Sequence, residues 1–225
     1  MTAPRKAFPA LDAATVGLSL IVGGLGVWTI FAGPTELLPM HYNAAGQADD
    51  WGTREQLGGL LVGLAALTLV LGGGMGAAAR RAGDRARARA LRSGQLLILL
   101  SFLGLTLFAG VSSVTGLTSM GAAAPMAGLS AFFLVIGSVL GRVGPNPIAG
   151  VRTPWSYKSR LAWDRSNRLA GRLLFLIGLA GVAAAPVAPQ PLGYQTVIAA
   201  VILAAVVSVI ESWRVWRADP DRQPF

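Results

Sequence analysis

The chain has 225 residues, of which 53% are hydrophobic and 13% are charged, and its mean hydropathy is +0.58. A soluble domain carries about twice that share of charged residues. Cysteine is absent, which excludes a disulfide scaffold, a cysteine-ligated zinc site, an iron–sulfur cluster and thiolate catalysis. A net charge of +9 would suggest nucleic acid binding in a soluble protein, but the composition is typical of a polytopic membrane protein.

Six apolar stretches are candidates for membrane spans. A helix rises about 1.5 Å per residue, so about 20 residues cross the hydrocarbon layer, and lipid offers no partner to an unpaired backbone amide. We therefore predict an all-α, polytopic membrane protein with six transmembrane helices. The stretches are Ala13–Gly33, Gln56–Ala79, Gly94–Thr118, Gly121–Leu140, Leu173–Val187 and Tyr194–Trp213. The fifth is short, so it must borrow Leu169–Gly171 or lie in a thinned part of the bilayer.

Basic residues are concentrated in alternate segments of the chain, which lie on one side of this arrangement. Of the 19 lysines and arginines, all except Arg54 lie in the N-terminus, the second connection, the fourth connection or the C-terminus. The positive-inside rule places these four segments, and therefore both termini, in the cytoplasm. We interpret the arginines as setting topology and contacting anionic lipid of the bilayer, so no direct nucleic acid partner is expected.

The first connection, residues 34–55, is predicted to face outward and to contact a ligand. It holds the single histidine of the chain and a polar cluster, and the candidate ligand-binding residues are His41, Asn43, Asp49, Asp50 and Trp51. The stretch from Asn43 to Gly46 is typical of a turn. His41 and Asp49 are weak candidates for a cation site because their spacing is not tight, and no metal is assigned. The alternative is an ordinary surface loop in which Asp49 or Asp50 caps the next helix.

The fourth connection, residues 141–172, is predicted to lie on the inner face. The sequence Thr153-Pro154 suits a helix start, with threonine as the cap. The Arg-rich stretch that follows, Trp155–Arg172, is predicted to be an interfacial helix with Trp155 and Trp163 at the membrane surface. One interpretation is a membrane anchor and the other is a docking surface for an inner partner. The guanidinium of Arg152, in a tight turn, is predicted to hold loop carbonyls or a carboxylate.

The two connections resemble known families. The outer stretch from Leu38 to Gly52 resembles the LPxHxNxxGxxDxxG signature of the DUF1648 domain. The inner stretch is similar to the SdpI family, which is named for a bacterial immunity protein against a secreted toxic peptide. The residues that carry the inner resemblance are Asn146, Gly150, Arg152, Thr153, Pro154, Trp155, Trp163, Arg168 and Gly171.

The resemblance implies a bacterial inner-membrane protein that protects its host from a secreted toxic peptide. The outer connection would meet the peptide, and the inner connection would meet a cytoplasmic repressor, as in the type member, which also signals. The implied organisation is a DUF1648-like two-helix unit (1–79, with outer loop 34–55), an Arg-rich cytoplasmic loop (80–93), an SdpI-like four-helix unit (94–213, with cytoplasmic loop 141–172) and a cytoplasmic tail (214–225).

The chain also departs from the family pattern. Ser166-Asn167-Arg168 stands where the family often has Thr-His-Arg, so any role of that histidine is absent. Residues 156–160, usually acidic, are basic in this chain. A partner that meets acidic residues there in other members would meet a basic surface.

Other function classes find little support in the sequence. One histidine excludes a His-Glu-x-x-His peptidase, and neither a Gly-x-Ser-x-Gly elbow nor a P-loop occurs, so neither an enzyme nor a cofactor is expected. The predicted spans hold no charged residue away from their ends, since Asp12 precedes the first and Glu211 lies at the cytoplasmic end of the last, which argues against ion-coupled transport. The alternative to immunity is a small-solute transporter or an envelope-maintenance protein. Glycine-rich faces in the second and third spans predict close helix packing and permit self-association.

Overall fold

The computed structural model describes residues 10–43, 45–115, 123–146 and 149–223. These residues form α1 (Ala10–Ala32), β1 (Leu38–Tyr42), β2 (Ala48–Gly52), α2 (Arg54–Leu67), a π-helical turn (Thr68–Gly72), α3 (Gly73–Arg81), α4 (Arg85–Thr115), α5 (Ala123–Leu140), α6 (Pro154–Tyr157), α7 (Arg160–Ala184) and α8 (Leu192–Ala218). Six helices are long and apolar enough to cross a membrane, α2, the π-helical turn and α3 forming one of them. The predicted polytopic helical fold is therefore confirmed, and Arg5, Lys6, Thr118 and Gly121 lie outside the described residues.

The fifth span is longer than the sequence analysis predicts. Helix α7 runs for 25 residues from Arg160, so it has no need of a thinned bilayer. It begins there because the Ser159 hydroxyl accepts a hydrogen bond from the Ala162 amide and caps the first turn. The prediction of a separate interfacial helix over Trp155–Arg172 is wrong, since most of that stretch is the first half of the span.

Two helix pairs cross at glycines, and each pair brings backbones close together. In the α5–α7 pair, a Cβ on Gly137 would collide with the backbone of Phe175, and a Cβ on Gly178 would collide with the backbone of Leu134. In the α1–α2 pair, a Cβ on Gly26 would lie 2.7 Å from the carbonyl oxygen of Gly58. Small residues at such crossings are how helices associate in lipid, where apolar burial drives little.

The glycine prediction is correct at some positions and wrong at others. Gly58 and Gly72 make close contacts, and Gly104 makes an ordinary contact with Phe132. Open space surrounds the Cβ positions of Gly59, Gly63 and Gly74. Gly110 lies outside the residues whose side chains the structure describes. Glycine content alone predicts that a helix packs closely, but it does not tell which face of the helix is packed and which faces away from the other helices.

Helix α4 runs from one end of the bundle to the other. Residues from Arg89 to Leu96 line a cleft beside the start of α1, whereas Gly104 and Leu105 line a cavity beside the starts of α5 and α8. Leu105 lies sixteen residues beyond Arg89, which is about 24 Å along the helix and most of a bilayer core. The outer hairpin and the inner connection therefore lie at opposite ends.

Candidate functional site: an outer cavity and an inner connection

The outer connection folds into an antiparallel hairpin, which the helical pattern of the sequence did not predict. Leu38 pairs with Gly52 and Tyr42 with Ala48. At the turn, the Asn43 side-chain oxygen accepts hydrogen bonds from the amides of Ala45 at 2.8 Å and Gln47 at 3.1 Å. The predicted turn is thus confirmed, and Asn43 shapes it.

The helix after the hairpin is capped by a residue other than those expected. The Thr53 hydroxyl accepts from the Gln56 amide, and the Gln56 side chain accepts from the Thr53 amide, which is a complete capping box. The alternative in which Asp49 or Asp50 caps this helix is therefore wrong. Both carboxylates lie on strand β2, where they remain exposed to solvent.

His41 and Asp49 face each other across the hairpin. The His41 Nδ1 atom lies 2.6 Å from the Asp49 Oδ1 atom, and the side chains are 66% and 43% exposed. Asp50 pairs with His41 in the strand register, and the exposed Trp51 pairs with Pro39. No cluster of three potential metal ligands occurs among the residues that the structure describes, so His41 and Asp49 form a two-residue contact only.

Strand β1 covers an apolar cavity of about 480 Å³. Its walls come from β1, α2, α4, α5 and the start of α8, and they include Met40, Leu57, Leu105, Leu129, Phe132 and Tyr194. Ligand sites are typically mostly apolar clefts of roughly 300 to 1,000 Å³ with a few polar groups. The cavity has this character, and His41 is among the residues that line it.

Of the five predicted ligand-binding residues of the outer connection, one lines the cavity. His41 lines the cavity, whereas Asn43, Asp49, Asp50 and Trp51 do not. Sequence reasoning missed the cavity itself because its walls are ordinary leucines from helices far apart in the chain. The one local signal was the apolar start of the motif, Leu38 to Met40, directly before His41.

Several residues of the inner motif build a compact loop. The Asn146 side-chain amide donates to the carbonyls of Gly144 and Ala149, and its side-chain oxygen accepts from the Ala149 amide. Gly150 has φ +124°, and a Cβ there would lie 2.6 Å from the Asn167 Oδ1 atom. Glycine is required at this position by both conformation and space.

Thr153 joins the inner connection to the last span. Its hydroxyl accepts from the Ser156 amide, and it lies 2.8 Å from the Ser212 hydroxyl of α8. The Ser156 hydroxyl in turn donates to the Val151 carbonyl. The predicted helix start at Thr153-Pro154 is confirmed, although α6 is a single turn.

Trp163 is fully buried, so its predicted place at the membrane surface is wrong. The indole N–H donates to the Val143 carbonyl at 2.8 Å, and this bond brings the end of α5 against α7. Asn167, which stands where the family often has histidine, accepts from the Val151 amide at 2.7 Å. A buried tryptophan with its donor satisfied is a packing anchor.

The remaining inner motif residues form a surface. Arg152, Pro154 and Arg168 are exposed, and Trp155 is half-buried. The Arg168 Nε atom donates to the Asp164 carbonyl one turn earlier on α7. The predicted grip of Arg152 on loop carbonyls or a carboxylate stays a prediction.

The C-terminal tail is fastened to the same inner connection. The Ser159 hydroxyl donates to Asp219 at 2.5 Å, and the Gln223 amide donates to the Lys158 carbonyl. Asp219 is buried by this arrangement. These two hydrogen bonds therefore hold the end of α8 against the α6–α7 junction.

A buried charge network, which the sequence analysis missed, ties α1 to α3 and α4. Asp12 lies inside the first turn of α1 and is 5% exposed, so the prediction that it precedes the span is wrong. Its carboxylate accepts from Arg80 at 2.6 Å, from Arg92 at 2.6 Å and from Gln95 at 3.0 Å. The sequence did contain a signal for this network. Asp12 lies at the cytoplasmic end of the first predicted span, on the same side as the arginine-rich second connection.

A model of the SdpI/YfhL protein family matches residues 142–212, from the inner connection to the last turns of α8. The outer hairpin lies outside the matched residues. No curated protein and no solved structure matches the chain.

Proposed function

We propose that the chain is a bacterial inner-membrane immunity protein that binds a secreted toxic peptide at its outer face, because the SdpI/YfhL family model matches residues 142–212. The apolar cavity beneath the hairpin is the observation that carries this proposal. It is open beside the one segment of the outer face that carries a histidine–carboxylate pair. The DUF1648-like unit supplies the hairpin, α1 and α2.

The cavity and its boundary together favour an amphipathic, cationic peptide. Leucine, methionine and phenylalanine side chains line the interior, which suits apolar side chains of a ligand. Asp49 and Asp50 lie exposed on β2 opposite His41, which lines the cavity, and suit the basic groups of the peptide. Trp51, exposed on the same strand, offers an aromatic contact at the membrane interface.

The inner surface made by Arg152, Pro154, Trp155 and Arg168 is the proposed docking surface for a cytoplasmic repressor. The buried motif residues beneath it make it rigid, because Asn146, Thr153 and Trp163 are all hydrogen-bonded. Helix α5 begins at the cavity and ends at this connection. A ligand that shifts α5 would therefore be sensed at the inner surface.

The transport alternative gains no support from the buried carboxylate. Asp12 lies at the end of its span and is held by two arginines. A fixed ion pair at one end of a bundle stabilises packing, whereas a coupling site must release its ion. A structural role for Asp12 follows.

A deletion strain challenged with a panel of secreted antimicrobial peptides tests the proposal. We expect increased sensitivity to at least one peptide, restored by the wild type and by Leu103→Trp but not by Leu105→Trp. Both leucines are exposed residues of α4, but only Leu105 lines the cavity. Unchanged sensitivity to every peptide, with altered accumulation of a solute, would replace immunity by transport.

A further inference from the structure

A second cleft, of about 550 Å³, lies at the inner end of the bundle. It is formed by the start of α1, the first turns of α4, the residues after α5 and the first residue of α7. Four arginines line it, namely Arg89, Arg92, Arg142 and Arg160. These residues come from three separate parts of the chain, so the fold creates a concentration of charge that the linear sequence does not show.

The positive charge of the cleft is only partly neutralised. Arg92 is paired with Asp12, and Arg160 lies 3.2 Å from Asp164. Arg89 bonds to the Arg85 carbonyl, which carries no full charge. The Arg142 guanidinium makes neither a hydrogen bond nor an ion pair within the described part of the chain. An anion entering the cleft would therefore meet two guanidinium groups without a carboxylate partner.

Apart from Ser93, the residues that line the rest of the cleft are apolar. Leu11 on α1 and Leu96 on α4 line it, and Leu96 is 36% exposed. Leu96 lies about 10 Å further along α4 than Arg89, in the direction of the membrane interior. Arginines therefore line the cytoplasmic part of the cleft and leucines the part nearer the membrane interior. A ligand with an anionic headgroup and a hydrocarbon chain matches this arrangement.

We propose that this cleft binds the phosphate headgroup of an anionic phospholipid from the inner leaflet. Arg89 and Arg142 hold the phosphate, and the first part of an acyl chain lies against Leu11 and Leu96. Basic pockets between transmembrane helices on the cytoplasmic side are suited to such headgroups. This site is independent of the proposed peptide cavity, which lies at the opposite end of α4.

Native mass spectrometry of the detergent-purified protein, titrated with phosphatidylglycerol or phosphatidylcholine, tests the site. We expect one phosphatidylglycerol to be retained in preference to phosphatidylcholine. The double variant Arg89→Gln/Arg142→Gln should lose about thirtyfold in affinity, because each arginine near anionic lipid contributes about a fivefold factor. Neither residue pairs with a carboxylate, so the substitutions leave the Asp12 network intact.

The matched control is Arg87→Gln, an exposed arginine on the same helix that does not line the cleft. It should bind phosphatidylglycerol as the wild type does. Equal loss in the control, or equal binding of both lipids by the wild type, overturns the proposal. Displacement of the lipid by an equal concentration of glycerol phosphate also overturns it, because the leucine walls would then contribute nothing. Displacement only by an acidic peptide would assign the cleft to a protein partner instead.

Discussion

The hydroxyls of Thr153 and Ser212 lie 2.8 Å apart and join the inner connection to the last span. Both residues are buried, and Thr153 also caps the turn that carries Trp155. One side chain therefore performs two structural tasks at the base of the proposed docking surface. The exposed motif residues keep their positions because this buried layer is fixed.

Replacing Thr153 by valine removes both interactions while preserving shape. We expect a loss of about 2 kcal/mol in the free energy of unfolding, since a lost helix cap and a lost buried hydrogen bond each cost about 1 kcal/mol. Unfolding by titration with sodium dodecyl sulfate measures the loss. The control Thr196→Val changes an exposed hydroxyl of α8 that bonds only to its own helix. Equal stability of the two variants would contradict this structural role.

Gly150→Ala tests the left-handed position of the inner connection. The added Cβ is strained at φ +124° and would press on Asn167 and on the ring of Trp163. We expect the unfolding free energy to fall by about 2 kcal/mol. Thermal unfolding in detergent reports this fall, and Gly83→Ala, where the new Cβ meets open space, serves as control. A Gly150→Ala protein as stable as the control would show that the loop adapts.

Asp12→Asn tests the buried network at the inner end of α1. The amide cannot neutralise Arg80 and Arg92, so the partly buried Arg92 loses its counter-charge. We expect a loss of roughly 2 to 3 kcal/mol, below the value for a fully buried pair because Arg80 is 48% exposed. Unfolding in detergent measures it, with the exposed Glu36→Gln as the control. An unchanged midpoint for Asp12→Asn would show that the network contributes nothing.

His41 and Asp49 are predicted to act as one unit in peptide protection. We expect His41→Gln and Asp49→Asn each to lower the protective effect severalfold, and the double variant to be no worse than either, because residues in direct contact are not additive. Minimal inhibitory concentrations in the complemented deletion strain give the comparison. Gln47→Ala, at the exposed tip of the hairpin, should protect fully. Additive effects would mean that the two residues act separately.

Much of the fold follows from the sequence because length, hydropathy and arginine placement each constrain membrane spans directly. The start of the fifth span at Arg160 did not follow, since an arginine-rich stretch with tryptophans is typical of an interfacial helix until Trp163 is seen to be buried. The roles of Asp12 and Ser212 were equally hidden. Each acts through a partner that is distant in the chain, and one sequence contains no record of such pairs.

Individual motif residues of the candidate sites could be predicted, whereas the cavity and the cleft could not. Motif spacing located His41, Asn146 and Gly150, because turns and special backbone positions leave local marks. The outer cavity and the arginine cleft depend on how helices pack, and their walls are made of residue types common everywhere in the chain. Sequence patterns therefore indicated the edges of these sites rather than their interiors.

The central claim is that the hairpin and the RTPW-bearing connection face opposite compartments. Since the chain has no cysteine, Asp50→Cys and Arg152→Cys each introduce a single thiol at an exposed position. A membrane-impermeant maleimide applied to intact spheroplasts should label Asp50→Cys and should label Arg152→Cys only after the membrane is permeabilised. Labelling of both variants before permeabilisation, or of Arg152→Cys alone, would contradict the account.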